Sequence, residues 1–321
     1  MLVDSELRGG LQQALGSVGL ELDGEFGLER RPSPYRTSFP IEELRTELAG
    51  RGEVKLAFKR LDRGELEPAA QLAKPRFLHD PEREPAVYRA LLPQAPPGPP
   101  EYFGSVPVEE GAWLFVEWVE GRELFQVGER ELWEAAARWL AEFHAALAPE
   151  LERHRRQAPL IEHDLGFYRG WMERAREFAA DPRRAGAAAR VEWLGERHDQ
   201  VVEALLAMPR TVVHGEFYAS NVLVAGNRVA PVDWELSAVG PGLTDLAALV
   251  SGWPETDRRA LAAAYASQPE VPDFADRDLD LVRLQVAIQW LGWAPPEWEP
   301  PEGQRRDWLA EAVELAEELG L

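Results

Sequence analysis

The chain has 321 residues, of which 45% are hydrophobic and 28% charged, so it has the composition of an ordinary globular protein and enough length for two lobes. Its net charge of −21 argues against nucleic-acid binding, which needs an excess of basic side chains. The absence of cysteine excludes disulfides, thiolate catalysis and cysteine-based zinc sites. No apolar run approaches the roughly 20 residues of a membrane span, and the acidic N-terminus is unlike a signal peptide, so we expect a cytoplasmic protein without a membrane partner.

The first third of the sequence predicts a sheet with two helices. The expected elements are a helix at 4–16, strands at 26–31 and 53–61, a helix at 81–92, and strands at 102–108 and 112–119. A proline-rich connector, QAPPGPP, separates the second helix from the last two strands and predicts a stiff, extended link.

The sequence after residue 119 is mainly helical. Apolar residues at helical spacing predict helices at 129–148, 165–179, 187–208, 243–250, 281–293 and 307–319. Three features leave alternatives open. His144 either braces a functional loop or is a satisfied core histidine, and 163–168 either lines a cleft or caps a helix. The C-terminal tryptophans either fill the core or form a stacking wall for a ligand; they are Trp290, Trp293, Trp298 and Trp308.

The most informative stretch runs from Thr211 to Leu249. A short apolar strand leads to Glu216, and Asn221 follows this acid by five residues. A turn and a second apolar strand then end at Asp233, so one loop carries a carboxylate and an amide that face another carboxylate. This set suits phosphoryl transfer, in which a base lies near the attacking hydroxyl while amide and carboxylate oxygens hold magnesium.

The motif H-G-E-x-x-x-x-N followed by D-W-E resembles the aminoglycoside phosphotransferase / choline kinase family of small-molecule kinases. The resemblance is sharp over 211–249 and moderate over 54–92. It implies an α+β, two-lobed, protein-kinase-like fold. A small β-rich N-lobe at 1–119 would bind the nucleotide, and a larger helical C-lobe at 120–321 would hold the catalytic loop and the acceptor site. One position departs from the family, because its usual aspartate is Glu216 here.

The resemblance also implies where the nucleotide phosphates are held. The strand sequence L-A-F-K places Lys59 where the family's lysine grips the α- and β-phosphates. Glu84 on the following helix would orient this lysine, and Glu82, two residues earlier, is the competing acid. Ser33 and Arg36 lie where a kinase loop covers the phosphates, although an ordinary proline-containing turn is the alternative.

The remaining roles follow the family motif residue by residue. Backbone groups around Glu117 to Val119 would bond the adenine. Asp233 would chelate magnesium, and Asn221 would add a neutral oxygen to the same ion. Glu216 would accept the hydroxyl proton or align that hydroxyl.

Two further residues of the motif are expected to support the loop rather than react. His214 has the wrong spacing to be the base, and the family's histidine at this place braces the loop through hydrogen bonds. Asp245, on the helix after the magnesium aspartate, matches the family acid that holds the same loop.

These expectations define the partners of the protein. ATP, with GTP as the alternative, and Mg²⁺ are the expected cofactors, and the acceptor is a small hydroxyl-bearing molecule such as an aminoglycoside, sugar or amino alcohol. Only eleven residues separate Asp233 from Asp245, too few for the segment with which protein kinases dock peptides. Two rival functions remain. One is a protein acceptor, and the other is a kinase-fold protein that binds a nucleotide or metabolite with weak or no catalysis.

The departure at Glu216 can be tested directly. Glutamate carries its carboxylate about 1 Å further than aspartate, a displacement that can cost roughly a hundredfold in rate when the geometry is tight. We expect Glu216→Asp to retain or raise phosphotransfer activity, measured as magnesium-dependent nucleotide turnover. If the folded variant loses its activity, the site is built around the longer side chain.

Overall fold

The computed structural model describes residues 4–23, 27–33, 38–184, 186–293 and 306–321. A five-stranded antiparallel sheet forms its N-terminal part, with strands in the order β1-β2-β3-β5-β4, and two three-stranded sheets, β10-β9-β6 and β7-β11-β8, lie beyond it. The strands are β1 (Glu29–Pro32), β2 (Ile41–Leu48), β3 (Gly52–Arg60), β4 (Tyr102–Val108), β5 (Gly111–Glu117), β6 (Arg122–Glu123), β7 (Ile161–Glu162), β8 (Arg210–Val213), β9 (Val222–Ala225), β10 (Arg228–Pro231) and β11 (Ala238–Pro241).

The described residues form twelve α-helices, nine of them after β5. They are α1 (Asp4–Ser17), α2 (Pro68–Ala73), α3 (Arg83–Ala86), α4 (Arg130–Leu147), α5 (Leu151–Gln157), α6 (Leu165–Ala179), α7 (Ala187–Gly195), α8 (His198–Ala207), α9 (Leu243–Leu249), α10 (Glu255–Ala266), α11 (Asp276–Trp293) and α12 (Trp308–Glu318). A π-helical turn, Val87–Leu91, continues α3. None of the helices in the described ranges combines the length and apolar composition that a membrane span requires.

The N-terminal sheet is covered on one face by α1. Leucines at helical spacing, among them Leu7, Leu11 and Leu15, are fully buried against sheet residues such as Phe58 and Phe115. Because β3 alternates its side chains, Phe58 enters this cluster while the neighbouring Lys59 points to the other face of the sheet. The apolar cluster under α1 therefore fixes the strand that carries the lysine.

The helical part has its own apolar core. Apolar residues at helical spacing along α4, including Trp139, Leu140 and Phe143, are buried against the loop that follows β8 and the segment that follows β10. The architecture is the predicted α+β arrangement, with a β-rich N-terminal part and a helical C-terminal part. Its division into 1–119 and 120–321 stays a prediction.

Several elements differ from the sequence expectation. The single helix expected at 187–208 is two helices, and α7 ends at Gly195, where an added Cβ would lie 2.3 Å from the Arg176 guanidinium. The expected helix at 81–92 is regular only as far as Ala86 and then widens into the π-helical turn. The elements that were not expected include α2, α5, α10 and the short strands β6, β7 and β11. The predicted strand at 26–31 is found as β1, and its first residue, Phe26, lies outside the described residues.

The contact between α1 and the sheet gives a stability prediction. Gly104 has φ +121°, and a Cβ there would lie 2.3 Å from the Ala14 carbonyl oxygen of α1. We expect Gly104→Ala to lower the free energy of unfolding by about 1–3 kcal/mol or more, measured by urea denaturation. Gly9→Ala, at an open position of the same helix, is the control and should stabilise the protein by about 0.5–1 kcal/mol. Equal effects of the two substitutions would contradict the described contact.

Candidate active site

A buried lysine joins three separate elements at the centre of the molecule. Lys59 on β3 donates to Glu84 on α3 over 2.8 Å, and its ammonium also contacts the Asp233 carboxylate, which follows β10. Glu82 is exposed and takes no part, so the structure pairs the lysine with the first of the two acids considered. Burial works against the charge of Lys59, but Asp233 and Glu84 outweigh it and raise the pKa of the lysine.

The acids around this lysine differ in their electrostatics. Burial raises the pKa of Glu84 to about 7, although Lys59 opposes the shift. Burial also disfavours the charge of Asp233, but there Lys59 prevails and the pKa of the carboxyl lies below its usual value. Glu84 additionally accepts from the Trp234 backbone N–H over 3.3 Å, so it fixes both the lysine and the segment that follows Asp233.

The segment after β10 has an unusual backbone. Asp233 has φ 67° and ψ 62°, and it is the one non-glycine residue with positive φ among the described ranges. An L-residue adopts this conformation at a cost that its surroundings must offset. The adjoining Trp234 supplies part of that offset, since its ring is fully buried with a centroid 4.5 Å from His214 and 5.2 Å from Phe143.

A buried aspartate on α9 fixes the loop after β8 through hydrogen bonds. Asp245 on α9 accepts from the backbone N–H groups of His214, over 2.7 Å, and Gly215, over 2.9 Å. Its Oδ2 also lies 3.1 Å from His144 Nε2, and the other ring nitrogen of His144 is 2.8 Å from the Tyr265 hydroxyl. Both alternatives for His144 therefore hold, because it is a satisfied core histidine and it supports the loop through Asp245.

His214 links the loop to the end of the hairpin. Its Nδ1 accepts from the Glu216 N–H over 3.3 Å, so the proton of the neutral ring is on Nε2, which donates to the Val232 carbonyl over 2.9 Å. Burial lowers the pKa of His214, consistent with a neutral ring. The histidine thus positions the loop and is not arranged as a base.

Glu216 lies in a setting that disfavours its charge. Part of its side chain remains accessible to solvent, but protein atoms surround the carboxyl closely enough that burial raises its pKa to about 8. The Glu235 and Asp233 carboxylates push in the same direction, while Lys74 and Lys59 oppose them. A carboxyl group with such a pKa can exchange protons near neutral pH.

The oxygens of Asn221 and Asp233 fit a magnesium ion held together with phosphates. Asn221 Nδ2 donates to the Glu216 carbonyl over 3.0 Å, which orients the amide and leaves Oδ1 for another partner. A neutral amide oxygen and a carboxylate are the hard ligands that Mg²⁺ takes alongside phosphate and water. The described residues contain no group of three or more acidic or histidine side chains that could hold a metal ion.

A second buried ion pair was missed by the sequence reasoning. Lys74, at the end of α2, contacts the Glu235 carboxylate two residues after Asp233, and both side chains are buried. The Phe39 ring lies against both ammonium groups, with Lys59 Nζ 5.5 Å and Lys74 Nζ 5.2 Å from its centroid. One signal was available, since Lys74 is one of only three lysines in the chain.

Glu216 lines a small recess of about 20 Å³, which has room for about one water molecule. Its walls are largely aromatic, with His163, Phe167, Trp171, Tyr218 and Trp293 beside Glu216. Because Asp164 caps α6 by accepting from the Phe167 N–H over 2.8 Å, the predicted cap at 163–168 is confirmed, and the same segment also lines the recess.

The C-terminal tryptophans within the described residues take two kinds of position, and a stacking wall for a ligand stays a prediction. Trp290 donates to the Tyr218 hydroxyl over 2.7 Å and stacks on Trp308 at 5.3 Å, so this pair packs against the catalytic loop. Trp293 instead reaches the recess. Trp298 lies outside the described residues.

The residues predicted to contact the rest of the nucleotide are less clearly arranged. Ser33 is buried, and its N–H donates to the Ile41 carbonyl over 2.7 Å; Arg36 lies outside the described residues. The Glu117 carboxylate forms a double contact with Arg228, at 2.6 and 2.7 Å, and its N–H bonds Glu101. Within the described part of the chain the Val119 N–H has no acceptor.

Comparison with known sequences assigns the family. A profile of the APH phosphotransferase enzyme family matches residues 67–283, so the chain belongs to this family. The resemblance inferred from the H-G-E-x-x-x-x-N motif is thereby confirmed. No curated protein matches the sequence.

Solved structures confirm the protein-kinase-like fold. An aminoglycoside 2'-phosphotransferase, solved as its GDP complex, aligns over 99% of this chain and 98% of its own with a TM-score of 0.59 and 14% identity. A macrolide 2'-phosphotransferase from Brachybacterium faecium aligns over 98% of both chains with a TM-score of 0.60 and 17% identity. A choline kinase from Cryptosporidium parvum aligns over 91% of this chain and 88% of its own, with a TM-score of 0.58 and 14% identity.

The support of the catalytic loop by Asp245 gives a prediction. Asn at this position has one oxygen where three donors converge, and its NH₂ group would face an N–H. We expect Asp245→Asn to lower the free energy of unfolding by about 2–4 kcal/mol and to speed amide exchange at His214 and Gly215. Urea denaturation and hydrogen exchange measure the two effects. Asp199→Asn, at an exposed acid paired with Arg169, is the control. If the His214 and Gly215 amides of Asp245→Asn exchange as slowly as those of the wild type, Asp245 does not support the loop.

Proposed function

We propose that this protein transfers the γ-phosphoryl group of ATP, with magnesium, to a hydroxyl of a small molecule such as an aminoglycoside, sugar or amino alcohol. Its membership of the phosphotransferase enzyme family supports the reaction class. The GDP bound to a structurally similar phosphotransferase supports a nucleotide donor, and it keeps GTP as the alternative to ATP.

The observation that carries the proposal is the convergence of Lys59, Glu84 and Asp233. Three elements distant in sequence bring one lysine and two acids into contact in the interior, where unpaired charges would be costly. A buried lysine next to a carboxylate with a depressed pKa can hold phosphate oxygens and a cation side by side. A purely structural ion pair would not need the Asn221 amide and the Glu216 carboxyl beside it.

In the proposed mechanism each residue acts through position and charge. Lys59, oriented by Glu84, would bind phosphate oxygens, and Asp233 with Asn221 would hold a magnesium ion, which would supply positive charge to neutralise the phosphates. Glu216 accepts the proton of the acceptor hydroxyl, or aligns that hydroxyl for attack. The hydrogen bonds of His214 hold Glu216 in place throughout.

The acceptor would approach Glu216 from the aromatic recess. Because this recess has room for about one water molecule, an acceptor with a ring must extend outward or displace wall side chains such as Trp293. The structurally similar proteins act on aminoglycosides, macrolides and choline, so their names favour a small molecule without selecting one.

A second candidate function is a kinase-fold protein that binds a nucleotide or metabolite with weak or no catalysis. One observation favours it: with a pKa of about 8, most Glu216 is protonated at neutral pH and is not able to accept a proton. Nucleotide hydrolysis that requires magnesium and is lost in Asp233→Ala would exclude this candidate.

The two lysines of β3 provide a matched test. Lys59 is buried at the site, whereas Lys55 on the same strand contacts the exposed Glu120. We expect Lys59→Ala to lower kcat/KM for ATP by roughly a hundredfold while the protein remains folded, and Lys55→Ala to act as wild type. Steady-state kinetics with circular dichroism as the folding check would measure this. Unchanged turnover in Lys59→Ala would show that the phosphate anchor lies elsewhere.

The raised pKa of Glu216 predicts the pH dependence of the reaction. Glu216 is a base only when ionised, and its pKa is about 8, so kcat/KM should rise with pH and level off above about 8. Glu216→Gln cannot ionise and should lose this rise together with most of the activity. The measurement is the pH profile of kcat/KM for both proteins. A wild-type profile that is flat from about pH 6 to 9 would contradict a role for Glu216 as the base.

A further inference from the structure

A second cavity of about 450 Å³ lies behind the catalytic loop, between α4, α8, β8 and α10. It is far larger than the recess beside Glu216, and its volume is within the usual range for small-molecule sites. Its interior is mainly apolar, with walls that include Ala145, Ala148, Ala204, Met208, Val271 and Phe274. None of the residues proposed for phosphoryl transfer lines this rear cavity.

The rear cavity reaches the hydrogen-bonded support of the catalytic loop. His144 and Tyr265 both line it, and these two side chains bond each other over 2.8 Å while His144 also contacts Asp245. Gly242 lies at the same wall, where an added Cβ would be 2.9 Å from both His144 Nδ1 and the Tyr265 hydroxyl. A ligand in the cavity would therefore lie against the groups that position His214.

The charges around the rear cavity are unequal. Glu270, Asp273 and Asp278 line it, and neither Glu270 nor Asp273 has a hydrogen bond or an ion pair with the described part of the chain. Arg210 is the basic residue among the lining side chains, but its guanidinium donates to Glu162 and to backbone carbonyls. These three acids form a negatively charged edge of the cavity, here called the rim, whose carboxylates are available to a cation.

We propose that the rear cavity binds a small hydrophobic amine. The apolar part of this ligand packs against the alanine, valine and phenylalanine walls, where burying its surface drives binding. Its ammonium group lies at the rim, beside the carboxylates of Glu270, Asp273 and Asp278. The proposal does not depend on catalysis, because the site shares no lining residue with the proposed phosphotransfer machinery.

Three probes of equal chain length test the site by isothermal titration in the absence of nucleotide. We expect octylamine to bind the wild-type protein more tightly than octanol, and octanoate to bind most weakly, with differences that shrink as salt is added. Ala204→Phe fills the cavity from α8 and should weaken octylamine binding by roughly tenfold or more. Ala263→Phe, at an exposed position of α10 outside the cavity, is the matched control and should bind as wild type.

The role of the rim is tested separately. Combining Glu270→Gln with Asp273→Asn should weaken octylamine binding by roughly threefold to tenfold and leave octanol binding unchanged. If Ala204→Phe does not fold, as judged by circular dichroism, Ala148→Leu fills the same cavity from the end of α4. Octanoate binding as tight as that of octylamine, or wild-type affinity in a folded filled variant, would overturn the proposal without affecting the proposed phosphotransferase.

Discussion

The contact of Lys59 with Glu84 and Asp233 is the interaction on which the site depends. A buried ammonium requires acidic partners, and a buried carboxylate requires a cation or hydrogen-bond donors. Burying any one of the three side chains without the others would therefore cost much free energy of folding. Each comes from a different element: the sheet, the helix packed behind it, and the segment after the C-terminal hairpin. Their pairing therefore fixes the N-terminal sheet against the helical part at the point where the nucleotide phosphates are proposed to bind.

The catalytic loop has a second, separate support. Asp245 binds two consecutive N–H groups of the loop, and His214 ties it to the far end of the hairpin. The bond of the His214 N–H to Asp245 is buried and the other two are partly buried, so removing Asp245 would leave an unpaired polar group in the interior. The loop can thus hold Glu216 and Asn221 in fixed positions, although it has little regular secondary structure.

The sequence was sufficient for features that depend on local order. The spacing of the motif from His214 to Asp233 predicted the loop, the hairpin and the family, and the L-A-F-K sequence of the predicted strand singled out Lys59. The sequence favoured Glu84 with Glu82 as the competing acid, and the structure has Lys59 donating to Glu84. The pair of Lys74 and Glu235 could not be found in this way, because its partners are 161 residues apart and meet only through the packing of the two parts of the chain. The end of α7 at Gly195 was also missed, and the Arg176 guanidinium of α6 lies beside this glycine.

The proposed function requires that the site bind a nucleotide together with a magnesium ion held by Asp233. Its most direct test is a thermal-shift titration of the wild type and Asp233→Ala with ATP, GTP and ADP, each with and without magnesium. A ligand that binds only the native state stabilises it by about 2.7 kcal/mol at a hundredfold excess over Kd. We expect a thermal shift with nucleotide that requires magnesium and disappears in Asp233→Ala. No shift with any nucleotide, or an equal shift in the variant, would contradict it.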